Sequence, residues 1–177
     1  MVYRDRSEQE TRDIYITRLL NDQWSEPKPV FHDGWTIAGC PVNGPAITAN
    51  GEQVAVVWFS AKDDKPEVKL VVSGDSGATF SEPVIVSRGT TNGRVDVNYL
   101  ASGHIALSWM DVQSDSAQIM LALYGADGSL LERVQVAQSH ASRRSGFPVM
   151  TSTGDDVYIT WTDIAGEPQV KVARVQF

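Results

Sequence analysis

Three tryptophans in near-matching surroundings restrict this chain to a repeating β architecture. Trp58, Trp109 and Trp161 lie in the runs Val56-Val57-Trp58-Phe59, Leu107-Ser108-Trp109-Met110 and Ile159-Thr160-Trp161-Thr162, separated by 51 and 52 residues. Each run is preceded by another apolar run and a glycine-containing turn, over 46–51, 97–103 and 148–154. Each is followed by a polar loop and a third run, over 68–72, 119–124 and 170–175, and in two cases by a fourth, over 84–86 and 134–136. β-Branched and aromatic residues dominate these runs, and several are apolar on both faces, as strands packed between neighbouring sheets must be. A four-strand unit of about fifty residues has the period of a propeller blade.

Residues 1–35 fit the same unit with its front missing. Met1-Val2-Tyr3 aligns with Val56-Val57-Trp58, and Trp24-Ser25-Glu26-Pro27 with Phe80-Ser81-Glu82-Pro83. The expected organisation is one half-propeller domain over 1–177: a partial blade at 1–35, blades at 41–87 and 93–138, and a three-stranded partial blade at 146–177. The expected fold class is therefore all-β, a partial propeller of about three to four blades, each a four-stranded antiparallel sheet. An open fan leaves two apolar blade faces uncovered, and such patches mark interfaces. Two readings follow. Either two copies pair through their end blades as a homodimer, or the chain is the C-terminal part of a longer propeller.

One turn carries a more specific signal. Ser73-Gly74-Asp75-Ser76-Gly77-Ala78-Thr79-Phe80 lies between two apolar runs. Asp75 is suited to accept hydrogen bonds from nearby backbone N–H groups, Gly77 opens a conformation closed to other residues, and Phe80 tucks beneath as an apolar plug. This stretch resembles the Asp-box of the sialidase and BNR-repeat β-propellers, with Ser73, Asp75, Gly77, Thr79 and Phe80 as its structural residues. In that family the turn joins the two outer strands of a blade, away from the catalytic face. The wider chain, including Tyr3-Arg4-Asp5-Arg6, Arg12-Asp13-Ile14 and residues 39–45, resembles the C-terminal half of bacterial sialidase-like proteins. Corresponding turns at 19–24 and 125–130 have decayed to ordinary ones.

Composition narrows the partners. The net charge of −7 argues against a nucleic-acid or anionic-membrane surface. No apolar run approaches the ~20 residues of a membrane-spanning helix. A single cysteine, Cys40, excludes an intrachain disulfide and a cysteine-cluster metal site. His32, His104 and His140 have no metal-ligand spacing, so neither a metal nor a cofactor is expected. Met1–Arg6 has no signal-peptide pattern, which reads as cytoplasmic for the chain as it stands. The resemblance implies secreted or periplasmic full-length relatives.

Function on such a fold lives in loops. One face is expected to carry the loops at 5–13, 60–67, 111–118 and 163–168 and the crossovers at 32–45, 87–96 and 139–148. Arg6 and Glu10 belong to a dense mixed-charge loop, read either as a solvated ion-pair network or as a polar-ligand clamp. The crossover carrying Trp35 and Asn43 is read either as a packed plug or as a stacking and hydrogen-bonding surface for a sugar. Arg94 and Arg143-Arg144 precede inner strands and are read either as surface arginines with acidic neighbours such as Asp96 or as bidentate carboxylate ligands. Asp111 opens the third such loop. The resemblance implies a grip on the substrate carboxylate by three arginines, for which Arg6, Arg94 and Arg144 are the available set. It also implies a tyrosine nucleophile with a glutamate, and an aspartate acid/base. The family's early Arg-Ile-Pro motif is absent, all five tyrosines fall in expected strands, and no catalytic residue is assigned. The first expected function is a non-catalytic sialidase-like module that binds a glycan or a protein and self-associates. The alternative is an exo-sialidase-type glycoside hydrolase, active once its ring is complete.

Overall fold

The computed structural model describes residues 1–177. Sixteen strands follow in order: β1 (Val2–Arg4), β2 (Ile14–Ile16), β3 (Leu19–Leu20), β4 (Gln23–Trp24), β5 (Lys28–Phe31), β6 (Ala46–Asn50), β7 (Gln53–Ser60), β8 (Glu67–Ser73), β9 (Val84–Arg88), β10 (Thr91–Tyr99), β11 (Ile105–Gln113), β12 (Ser116–Tyr124), β13 (Leu130–His140), β14 (Val149–Thr153), β15 (Asp156–Asp163) and β16 (Gln169–Gln176). They form four antiparallel meanders: sheet 1 (β1-β2-β5), sheet 2 (β6-β7-β8-β9), sheet 3 (β10-β11-β12-β13) and sheet 4 (β14-β15-β16). The remaining pair, β3-β4, is a small hairpin in the link between β2 and β5, turning through Asn21 and Asp22, both with positive φ. The only helical segments are single 3-10 turns at Lys62–Asp64 and Arg143–Ser145. The class is all-β, as the repeat requires.

The tryptophans occupy equivalent places. Each sits on the second strand of its sheet, on β7, β11 and β15, and its indole faces the preceding sheet. Trp58 packs with Ile14, Ile16 and Val30 of sheet 1. Trp109 packs with Ala55, Val57 and Leu70 of sheet 2. Trp161 packs with Met110, Ala117 and Ile119 of sheet 3. Alternation along each strand explains this: Val54, Val56 and Trp58 face backward, while Ala55, Val57 and Phe59 face forward, all buried. A sheet covered on both faces must be apolar on both, which is why β7 and β11 read as nearly unbroken hydrophobic runs.

The third–fourth strand turns form a second contact between sheets. In sheet 2 the turn at 73–80 links β8 to β9. Asp75 accepts from Thr79 N at 2.8 Å, Thr79 Oγ1 at 2.6 Å and Ser73 Oγ at 2.8 Å. Ser73 Oγ in turn accepts from Gly77 N at 2.9 Å. These bonds, led by the Thr79 hydroxyl, hold the Asp75 carboxyl well below the usual range. Gly77, at φ +76°, presses so closely on sheet 1 that a Cβ there would stand 2.9 Å from Ile16 Cδ1, and Lys28 of sheet 1 donates to Ala78 O. The sheet 3 turn does the same one step on, with Gly128 against Val72 and Val84 of sheet 2. Ser81 exchanges two hydrogen bonds with Val72, and Ser25 exchanges the same two with Arg18. The alignment of 24–27 with 80–83 is thus a structural equivalence.

Candidate functional site at the loop-bearing rim

One hydrogen-bonded girdle runs along the rim from sheet 1 to sheet 4. Arg4, at the end of β1, donates to Phe59 O at 2.6 Å, Arg12 O at 2.7 Å and Asn43 O at 3.1 Å, and lies over the Trp35 ring at 5.1 Å. Burial lowers its pKa to about 10, against the opposing fields of Asp33 and Asp13, so it is still charged at neutral pH. Asn43 carries the connection on. Its Nδ2 donates to Asn92 O and its Oδ1 accepts from Arg94 N, both at 3.0 Å. A bulge at Gly93-Arg94, with φ of 77° and 53°, then turns the Arg94 side chain toward the last crossover. There its guanidinium donates to Ser145 Oγ at 2.8 Å, Gly146 O at 2.6 Å, Ser142 O at 3.1 Å and Ala141 O at 3.3 Å. Burial, with Arg143 nearby, lowers its pKa. Asp96 of the same strand accepts from Val97 N and Met150 N, tying sheet 3 to sheet 4, and its burial raises its pKa.

This arrangement sorts the residues singled out in the sequence. Trp35 is buried, edge-on to Phe59 at 5.7 Å, so its crossover sits as a packed plug. Asn43 and Arg94 are girdle members, and a ligand carboxylate would have to displace backbone carbonyls to reach Arg94. Asp111 accepts from Ser87 Oγ at 2.6 Å beside a pocket of about 280 Å³ formed with Thr90, Gln113 and Gln118. Arg144 is exposed, and its guanidinium has no hydrogen-bond partner in the chain. The three arginines expected to converge are thus held apart in role: one clamping, one free on the last crossover, and Arg6 in the first loop.

Arg6 and Glu10 do come together. Glu10 Oε1 receives Arg6 Nη2 at 2.5 Å and Nε at 3.1 Å, while its Oε2 receives Arg12 Nη2 at 2.6 Å. Arg12 also donates to Gly39 O at 2.8 Å. Glu10 stands at φ +63°, a conformation rare outside glycine, held by bonds from its N–H to Ser7 O and from Ile37 N–H to its carbonyl. The Arg6 hydrogen bond leads in holding its carboxyl below the ordinary range. The resulting groove, about 470 Å³, is lined by Arg6, Glu10, Arg12, Ala38, Gly39 and Cys40. It is open, polar and net positive, and lies where the first crossover meets the first loop.

One important position escaped sequence reasoning, and another was placed without its role. Arg4 stood out as part of the dense mixed-charge stretch with Arg6, but nothing local marked it as the hub of the girdle. Asp33, almost fully buried, accepts from Trp58 Nε1 at 2.6 Å and Lys69 Nζ at 2.5 Å. It joins the exit of sheet 1 to the second and third strands of sheet 2. A lone aspartate before glycine reads as a turn residue, so no local signal pointed to it.

With this geometry the chain is a fan of sheets of propeller type. No family model matches it, and no curated protein matches it in sequence. Among solved structures it is similar to a xylan β-1,4-xylosidase from Bacillus halodurans, with TM-score 0.59, 14% identity, and coverage of 94% of this chain and 35% of that one. It is also similar to the α-L-arabinofuranosidase arb93a from Fusarium graminearum, with TM-score 0.56, 14% identity, and coverage of 74% and 44%. A third is Bacteroides ovatus xyloglucan PUL GH43B, with TM-score 0.52, 16% identity, and coverage of 94% and 34%. The chain spans between about a third and just under half of the length of these proteins. At this identity the likeness shows the fold alone: a partial β-propeller.

Proposed function

We propose that this chain is a carbohydrate-binding propeller module with no turnover of its own, and that the groove at Arg6, Glu10, Arg12 and Cys40 is its ligand seat. The observation that carries the reading is the groove itself. Its size falls within the roughly 300–1,000 Å³ of small-molecule sites, and its guanidinium and carboxylate groups present donors and acceptors for sugar hydroxyls. Most glycoside hydrolases use two carboxyl groups, one of them a proton donor with a raised pKa, and the sialidase variant puts a tyrosine in the nucleophile's place; no tyrosine lines the groove. Glu10 is the one carboxyl in the groove, and its two arginines keep it ionised, which suits binding and opposes acid catalysis. The glycosidase-type fold favours a saccharide over a protein as the ligand.

Calorimetric titration against a panel of neutral and acidic oligosaccharides, including xylan, arabinan, xyloglucan and sialoside fragments, tests this. Saturable binding to at least one is expected. Arg6→Ala should weaken it roughly tenfold or more, because a charge-assisted hydrogen bond contributes about 1.5–3 kcal/mol. Release of fluorophore from a fluorogenic sialoside or pentoside at a rate proportional to protein would replace this reading with that of a hydrolase.

A further inference from the structure

We infer that the two outermost faces of the fan are the halves of one joint, and that a second copy of this chain fills it head to tail. The internal repeat defines what such a joint looks like. Across each of the three junctions within the chain, an aromatic residue at one position of a second strand seals against the preceding sheet, as Trp58, Trp109 and Trp161 do. At two of the three, the third–fourth strand turn also reaches back over that sheet.

Sheet 1 carries both features on a face that no other sheet of the chain covers. Tyr3 aligns with Trp58, sits opposite Tyr15 on β2 and points away from sheet 2, forming with Tyr15 a tilted aromatic pair at 6.1 Å. The hairpin β3-β4 stands where the 73–80 turn stands in sheet 2, and exposes Leu19, Leu20 and Trp24 together, the indole 59% accessible. In sheet 2 the corresponding Phe80 is tucked against the core.

Sheet 4 offers the receiving surface. On β15, Val157, Ile159 and Trp161 face sheet 3, so Tyr158, Thr160 and Thr162 face outward. Register places Val149, Thr160 and Val172 in one outward row across its three strands, with Val170 beside it. Val149, Val170 and Val172 are 57%, 75% and 61% accessible. Val172 and Val170 stand at the positions of Leu70 and Val68 in sheet 2, which receive Trp109 at the next junction. The open face therefore continues an interface the chain already makes three times, and its occupant is a sheet bearing an aromatic at the tryptophan position. Sheet 1 of a second copy is such a sheet. Threonine and tyrosine replace some of the aliphatic residues of the inner joints, as suits a contact formed between separate molecules. The contact is heterologous, with different surfaces on the two sides.

Sedimentation velocity over a dilution series, with tryptophan quenching by acrylamide, tests the joint. The wild-type chain should associate as concentration rises. Trp24 is the one exposed indole of five, the other four being buried, so quenching should fall as association proceeds. Trp24→Asp and Val172→Asp, both at exposed positions and each checked for intact fold by circular dichroism, should be monomeric alone. Mixed together they should associate again, because each retains the half the other has lost. A wild-type chain that stays monomeric would assign these faces to another partner and overturn the inference. Association surviving both substitutions, or a mixture that stays monomeric, would overturn it as well.

Discussion

Trp109→Ala should lower the unfolding free energy by about 3–5 kcal/mol, the range for deleting a large aromatic side chain from a packed core. Trp109 has no accessible surface and lies between sheets 2 and 3 in the largest apolar cluster, with Trp35, Val57, Phe59, Leu70 and Leu107 around it. The Arg133 guanidinium covers its ring at 5.0 Å. Two packed sheets cannot close over the lost indole without shifting their strands, so a void remains. Urea denaturation monitored by circular dichroism reads the loss. The conservative variant adds a sharper contrast. Trp109 Nε1 has no hydrogen-bond partner in the chain, so Trp109→Phe removes an unpaired donor along with some volume. Trp58 Nε1 donates to buried Asp33, so Trp58→Phe deprives a carboxylate of a bond as well. Trp58→Phe should be the more costly of the two.

Asp33→Ala should cost a similar amount, about 3–5 kcal/mol, by a different mechanism. Its carboxylate is almost wholly inaccessible and Lys69 is nearly so, at 1% and 12% side-chain exposure. Truncation leaves an ammonium held only by Glu67 Oε2 at 3.3 Å and by the Phe31 face at 5.5 Å, and leaves the Trp58 N–H unpaired. Most of the expected loss is the penalty of those stranded groups rather than the intrinsic strength of the pair. The double variant Asp33→Ala/Lys69→Met should therefore be more stable than Asp33→Ala alone. A double-mutant cycle in urea measures that coupling.

The repeat made the architecture legible. Tryptophans at a fixed interval, glycine turns before them and apolar runs after them fix strand order and pairing, because a meander with short turns leaves each strand one neighbour on each side. The equivalence of Ser25 with Ser81 followed from four matching residues. What the repeat could not convey is which polar residue answers which across the junctions. Arg4 reaches carbonyls at residues 12, 43 and 59, and Arg94 reaches a loop about fifty residues on. Such partners are set by the stacking of sheets, not by local spacing. The same limit explains the rim. Arginines before inner strands were open to a surface or a ligand reading because their charge is visible in sequence, whereas the backbone carbonyls that occupy Arg94 are not. The groove was half legible: Arg6, Glu10 and Arg12 were marked together by charge density, while Ala38, Gly39 and Cys40 of the crossover joined them only through folding. The hairpin at 19–24 was read as a plain turn and forms a projecting apolar pair of strands.

The fan requires Trp58, Trp109 and Trp161 to be sealed at its successive junctions. Fluorine NMR of protein labelled with 5-fluorotryptophan, assigned by single Trp→Phe substitutions, addresses each indole separately. In a dilute sample, exchanging water for deuterium oxide should shift the Trp24 resonance and leave those of Trp58, Trp109 and Trp161 unmoved. A solvent shift at any of those three would mean that its junction is open, and would contradict the fan.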